Sequence, residues 1–258
     1  MEMPSISLRS SVLLATPSES GDYLPLLRWL VLICLIAFGA VALWQLGLIR
    51  LMLDTDRTHV SSLILGLFAL TTLHCLTQTW FVSREFIAVR SFQDALRRDP
   101  DLIAGVAADP NRVPQDSIIG RHVANLAAKA RGQKGRRVDQ TLLLRTLADR
   151  LRGREKLGLF VAEALLRLAL LGTAVGFILM LIPIAGLTAF DAESLRKALA
   201  GMSGGMAIAL NVTVTGIATA LLLKLQYFFL DKAIADLFAA ITELTEVHVV
   251  SVLEHGDG

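Results

Sequence analysis

Four stretches of the chain, 29–49, 60–83, 168–190 and 198–223, contain no Asp, Glu, Lys or Arg. Each is long enough to cross a bilayer as a helix, which takes about 20 apolar residues at about 1.5 Å rise each. Helical periodicity continues outside them. Phe86, Ile87, Val89, Phe92 and Leu96 recur at helical spacing and stop at Asp99-Pro100. A turn-rich section through Asp109-Pro110 and Pro114 leads to a helix over 117–130, and RGQKGRR at 131–137, with two glycines and four cations, predicts a break. Asp139 is a candidate N-cap for the next helix, where Leu142, Leu143, Leu147 and Leu151 form a stripe running toward the third apolar stretch. Gly153 and Gly158 are its weak points. Beyond Lys224, Ile234, Leu237, Phe238 and Ile241 repeat at i, i+3, i+4, i+7, which extends an amphipathic helix to about Leu253. The pattern predicts an all-α integral membrane protein with four transmembrane helices, the last two extended into the cytoplasm, and a helical cytoplasmic loop.

Composition agrees: 54% of the 258 residues are hydrophobic, 19% are charged, and the mean hydropathy is +0.59. An ordinary soluble domain is about 25% charged. The net charge of +2 matters less than its distribution, since 16 of the 25 Lys and Arg lie between Arg84 and Lys156 against nine acids. Positive charge stays on the cytoplasmic side of spans, so this loop and both termini are expected inside, and no nucleic-acid partner is needed to explain the cations. Only 50–59 and 191–197 remain outside, too little for an external enzyme or receptor domain. The expected organisation is a cytoplasmic tail over 1–24, a transmembrane hairpin over 25–83 and a basic helical loop over 84–156. A channel-like region over 157–230 and a cytoplasmic amphipathic helix over 231–258 complete it. The N-terminal segment lacks the basic and apolar regions of a cleaved signal peptide. Cys34 and Cys75 both fall within apolar stretches and suggest no disulfide framework.

None of the four stretches holds an ionisable carboxylate or cation, although ion carriers usually retain one at membrane depth despite a cost of at least ~2.5 kcal/mol. If this chain conducts ions, the titrating group comes from another chain. What the last two spans offer is hydroxyls and an amide: Thr173, Thr188, Ser203, Asn211, Thr213, Thr215 and Thr219. Each threonine could instead bond back to its own helix. Gly172 and Gly176, and Gly201 and Gly205 with Ala209, are spaced for close helix packing in lipid. Glu163 and Arg167 lie one turn apart at the cytoplasmic mouth of the third span, as an interfacial ion pair or a channel entrance. His74 is either a titrating group or a hydrogen-bonded packing residue. No HExxH, CxxC, GxSxG or phosphate loop occurs, and the five histidines show no ligand spacing. Neither catalysis, a metal nor a cofactor is expected.

The segment LLGTAVGFILM, Leu170 to Met180, resembles the LLGTVxGM-type signature of the MotA/TolQ/ExbB proton-channel family, and GMAIALNVTVTGIATALLLKLQYFF, Gly205 to Phe229, resembles its second conserved span. The resemblance covers mainly 139–230. It implies a ring-forming homo-oligomer in the bacterial inner membrane, commonly a pentamer. Such a ring surrounds the single spans of a dimeric ExbD/TolR/MotB-like partner whose essential Asp carries the proton. By position, Thr173 and Thr213 match the family's pore-facing threonines, and Thr215 and Asn211 would add to that lining. Ile208 stands where the biopolymer-transport branch often has Glu, and Leu166 and Arg167 alter the approach to the third span. The expected function is a channel subunit of an ion-driven motor, moving H+ in preference to Na+. The alternative is a non-conducting scaffold in membrane lipid that docks a partner through its cytoplasmic helices.

Overall fold

The computed structural model describes residues 24–47, 50, 59–99, 102–109, 112–132, 139–153, 155–186 and 191–255. The tail over 1–23, the turn over 54–58, most of RGQKGRR, Thr188 and residues 256–258 lie outside them. The described elements are all helical: α1 Leu24–Gln45, α2 Val60–Arg98, α3 Leu102–Ala108, α4 Ile118–Gly132, α5 Thr141–Arg152, α6 Lys156–Ala185 and α7 Ala192–Leu244. A π-helical turn, Thr245–Val250, carries α7 into a final short helix, α8, Ser251–His255. Three helices are long and apolar enough to cross a membrane: α2, α6 together with the α5 segment before it, and α7. The apolar run of α1, Trp29–Gln45, is shorter.

One helix boundary differs from the sequence expectation. The second apolar stretch and the amphipathic stretch after it form one uninterrupted helix of 39 residues, α2. Arg84 and Glu85 interrupt the hydropathy but favour helix, and nothing there breaks the backbone. The leucine-striped helix α5 reaches Arg152, and the weak point the sequence names follows it: Gly153, whose N–H bonds to Asp149 O, with α6 described from Lys156. The N-cap of α5 is Gln140, which makes no side-chain cap bond, and not Asp139 as the sequence suggests; Asp139 stands one residue earlier and accepts from the Thr141 N–H at 2.9 Å and from its hydroxyl at 2.6 Å.

α6 and α7 form an antiparallel hairpin held by small residues at backbone distance. A methyl group added at Gly176 would lie 2.8 Å from the Ala209 backbone, and one at Gly205 would lie 2.5 Å from the Met180 backbone nitrogen. Gly216 faces Ala169, Gly201 receives the ring of Pro183, and Gly172 packs against Val212 and Val60. With no hydrophobic gain between helices in lipid, such close approach supplies the attraction through dispersion. The contact with Val60 also fixes a stagger: α2 begins beside Gly172, so α6 continues past it to Ala185, about 20 Å at 1.5 Å per residue.

At the other end, α2 beyond Val82, α3, α4 and the lower part of α7 bury a core that includes Phe92, Ile103, Val106, Ile119, Leu126, Leu237 and Ile241. Glu85, 5% exposed, accepts from the first N–H of α4, that of Ile118, at 2.8 Å. This satisfies a donor that a helix start otherwise leaves unpaired. α5 sits less deeply, with Leu151 as its one buried residue.

Candidate functional site

Thr173 of α6 and Thr213 of α7 meet across the hairpin, their hydroxyl oxygens 2.9 Å apart. Each also lies within reach of a backbone carbonyl one turn back, Thr173 of Ala169 O at 2.7 Å and Thr213 of Ala209 O at 2.9 Å. A hydroxyl has one proton, so the three contacts share two protons. Either Thr213 donates to Thr173, which donates to Ala169 O, or Thr173 donates to Thr213, which donates to Ala209 O. The two arrangements are chemically alike and differ only in direction. Neither leaves an unpaired donor.

The pair is half-buried, with exposed apolar side chains above and below it. Leu170 and Phe177, at i−3 and i+4 from Thr173, are 63% and 53% exposed, and Leu210 and Ile217, at the same offsets from Thr213, are 60% and 43% exposed. By helical spacing these four share the faces of the threonines, which makes the hydroxyls a polar spot on an apolar stripe. Thr215 and Thr219 are buried, and donate to Asn211 O at 2.7 Å and Thr215 O at 2.8 Å. Asn211 is half-buried. Thus the structure joins Thr173 to Thr213 and sets Thr215 on a different, interior face of α7. Gly172, Gly176, Gly201 and Gly205 all lie in the hairpin contact. Glu163 and Arg167 pair at 3.6 Å with both side chains more than half exposed.

A second polar chain joins α2 to α7. Gln78 donates to His74 Nε2 at 3.3 Å, which leaves the proton on Nδ1 to bond the Tyr227 hydroxyl at 2.8 Å, and Tyr227 donates to Thr71 O at 3.5 Å. Gln226, fully buried, donates to the Thr72 hydroxyl at 3.3 Å. The Tyr227 ring lies where a side chain at Gly158 would be, 1.9 Å from an added methyl, so α6 can pass only because that position is glycine. His74 stands out in the sequence as a lone polar ring, but Tyr227 lies 153 positions away and no local pattern marks it as the partner.

Where α6 begins, Glu155 and Asp231 form a hydrogen-bonded carboxyl pair outside the apolar stretches. Burial, then the hydrogen bond and negative charge of Asp231, push the Glu155 carboxyl up to about 7, against smaller opposing effects of Arg152 and Lys156. No group of three or more His, Cys, Asp or Glu suited to a metal occurs among the described residues.

Comparison with curated proteins and with solved structures finds no match. The model of the MotA/TolQ/ExbB proton channel family matches residues 114–243, half of the chain, a range that holds α4, α5, α6, all but the last residue of α7, and both threonines of the hydroxyl pair.

Proposed function

The chain belongs to the MotA/TolQ/ExbB proton channel family, and on that premise we propose that it is the channel subunit of an ion-driven motor. Several copies, five by resemblance to the family, surround the single spans of a dimeric ExbD/TolR/MotB-like partner in the bacterial inner membrane. α1 serves as a fourth span beside α2, α6 and α7, with both termini cytoplasmic. The partner's Asp carries H+ past the Thr173–Thr213 pair.

The observation that carries this reading is the reversible hydroxyl pair on an apolar stripe in a chain whose apolar stretches hold no carboxylate, lysine or arginine. A carboxylate brought to that stripe needs a donor, and either threonine supplies one by turning its proton from the backbone carbonyl to the carboxylate. A protonated carboxyl needs an acceptor, which a hydroxyl lone pair provides. The site therefore suits both states of the acid without a charge of its own. Between sites, protonation spares the acid the cost of carrying its charge along Leu170, Phe177 and Leu210.

The test is the double variant Thr173→Val with Thr213→Val, which keeps shape and removes both hydroxyls. Proton uptake by vesicles holding the complex with its partner is expected to fall at least tenfold while the ring still assembles. Thr173→Ser with Thr213→Ser is expected to retain most of it. Full conduction by the valine variant would remove the pair from the ion path. A chain that assembles with its partner and conducts nothing in the native form would favour the scaffold.

A further inference from the structure

On the cytoplasmic side a cavity of about 510 Å³ opens between α4 and α5, against the end of the apolar part of α2. Its charged wall residues are both cations, Arg121 from α4 and Arg150 from α5, and no carboxylate lines it among the described residues. Both arginines are exposed and neither forms an ion pair with a described residue. Two guanidiniums without a carboxylate partner among the described residues, on separate helices at one cavity, repel each other, and an anion between them would remove that cost. Asn125 and Thr146 add neutral hydrogen-bonding groups, and Phe81 and Leu147 supply an apolar wall.

The third polar group is His122, also on the wall and only 5% exposed. Its ring hydrogen-bonds Gln140, whose carbonyl oxygen also accepts from Thr245 at 3.3 Å and whose amide donates to Glu246. Gln140 thus offers His122 an acceptor, which fixes the histidine proton on Nδ1. Burial holds this imidazole below its ordinary pKa and so neutral. Nε2 is then a bare acceptor, buried and without a partner among the described residues. Leaving such an atom unsatisfied costs about 1–3 kcal/mol.

We propose that this cavity binds a phosphate-bearing ligand, with anionic oxygens held by Arg121 and Arg150 and a hydroxyl or protonated oxygen donating to His122 Nε2. Planar guanidinium forks match phosphate oxygens two at a time, which an ammonium does not. The ligand is either the headgroup of an anionic lipid, whose chains would lie along Phe81 toward the membrane, or a soluble phosphate ester.

The experiment uses the full chain in nanodiscs of neutral phosphatidylcholine and two probes. Phosphatidylglycerol is added at rising mole fraction and counted by native mass spectrometry, and glycerol 3-phosphate is titrated calorimetrically. At least one probe is expected to bind saturably. Arg121→Gln with Arg150→Gln should weaken it at least tenfold, with helix content unchanged, since both side chains are exposed. Arg97→Gln with Arg98→Gln, the same charge loss at the end of α2, should change it less than twofold. Binding of phosphatidylglycerol alone identifies a lipid site, and binding of glycerol 3-phosphate identifies a soluble ligand. Saturation by neither probe, or equal loss in the two double variants, overturns the proposal.

Discussion

The α6–α7 hairpin and the layer of α2 beyond Val82, α3, α4 and α5 at its end solve the same problem, burying polar groups, in opposite ways. In the hairpin Thr173, Thr213, Thr215 and Thr219 each reach a carbonyl in the preceding turn of their own helix, and the glycines bring two backbones together. In the end layer polar groups bridge distant parts of the chain: Glu85 to Ile118, 33 positions on, and Gln140 to Glu246, 106 positions on. The hairpin is therefore tight in its backbone and undemanding in its polar chemistry. The end layer is looser, with a cavity under α5, and depends on particular side-chain partners. Local satisfaction leaves a hydroxyl free to change partner, whereas a long-range bond fixes two elements together.

The largest effect is expected where that contrast is sharpest. Gly176→Leu places a branched side chain against the Ala209 backbone, which cannot retreat without separating α6 from α7. The cost should exceed about 3 kcal/mol, seen as loss of folded protein from membranes. Gly204→Ala, where an added methyl meets nothing within 4 Å, should be silent. Equal behaviour of the two would break the distinction between seam and surface.

Smaller, and in the end layer, Glu85→Ala strips the Ile118 N–H of its acceptor. It is expected to destabilise by about 1–3 kcal/mol in denaturant unfolding and to raise amide exchange at the start of α4. Exchange that rises evenly over the whole chain would mean that the bond does not act locally.

The smallest effect concerns the carboxyl pair. Glu155 keeps its proton to about pH 7 in the folded chain and loses it near 4.5 when unfolded. Between those values the folded state holds more protons, so stability falls as pH rises through that window and levels off above it. Glu155→Gln removes the fall. The variant should match the native chain at pH 4.5 and melt roughly 2–4 °C higher at pH 8. An unchanged pH slope in the variant would place the titration elsewhere.

Sequence alone made the helices legible because hydropathy and 3.6-residue periodicity are local properties. It placed an α4 helix at 117–130, close to the observed Ile118–Gly132, and set the C-terminal amphipathic stretch on the end of α7. It split α2, because the change from apolar to basic at Arg84 looks like a boundary although the backbone is indifferent to it. At the site, the small residues and threonines were visible as types and spacings. Which hydroxyl meets which depends on the register between α6 and α7, and Thr173 and Thr213 are 40 positions apart. Thr215, two residues on, looks equivalent in sequence and is buried instead against the hairpin interior. The Glu155–Asp231 pair and the His122–Gln140–Glu246 chain carry no sequence signal, because each partner alone is an ordinary polar residue in a basic region.

α7 runs for 53 residues without a break, about 80 Å at 1.5 Å per residue. Thr213 near its middle, Tyr227 against Gly158, and Leu237 and Ile241 in the core of the end layer all hang on one continuous screw. Position along such an element is also angular phase. A single residue inserted after Ala220 would turn everything below it by about 100°, carrying Tyr227 off the groove at Gly158 while leaving Thr213 where it is. Twist applied at the threonines has no loop in which to dissipate before it reaches that core, so the two ends of α7 are bound to turn together or to strain the seam between them.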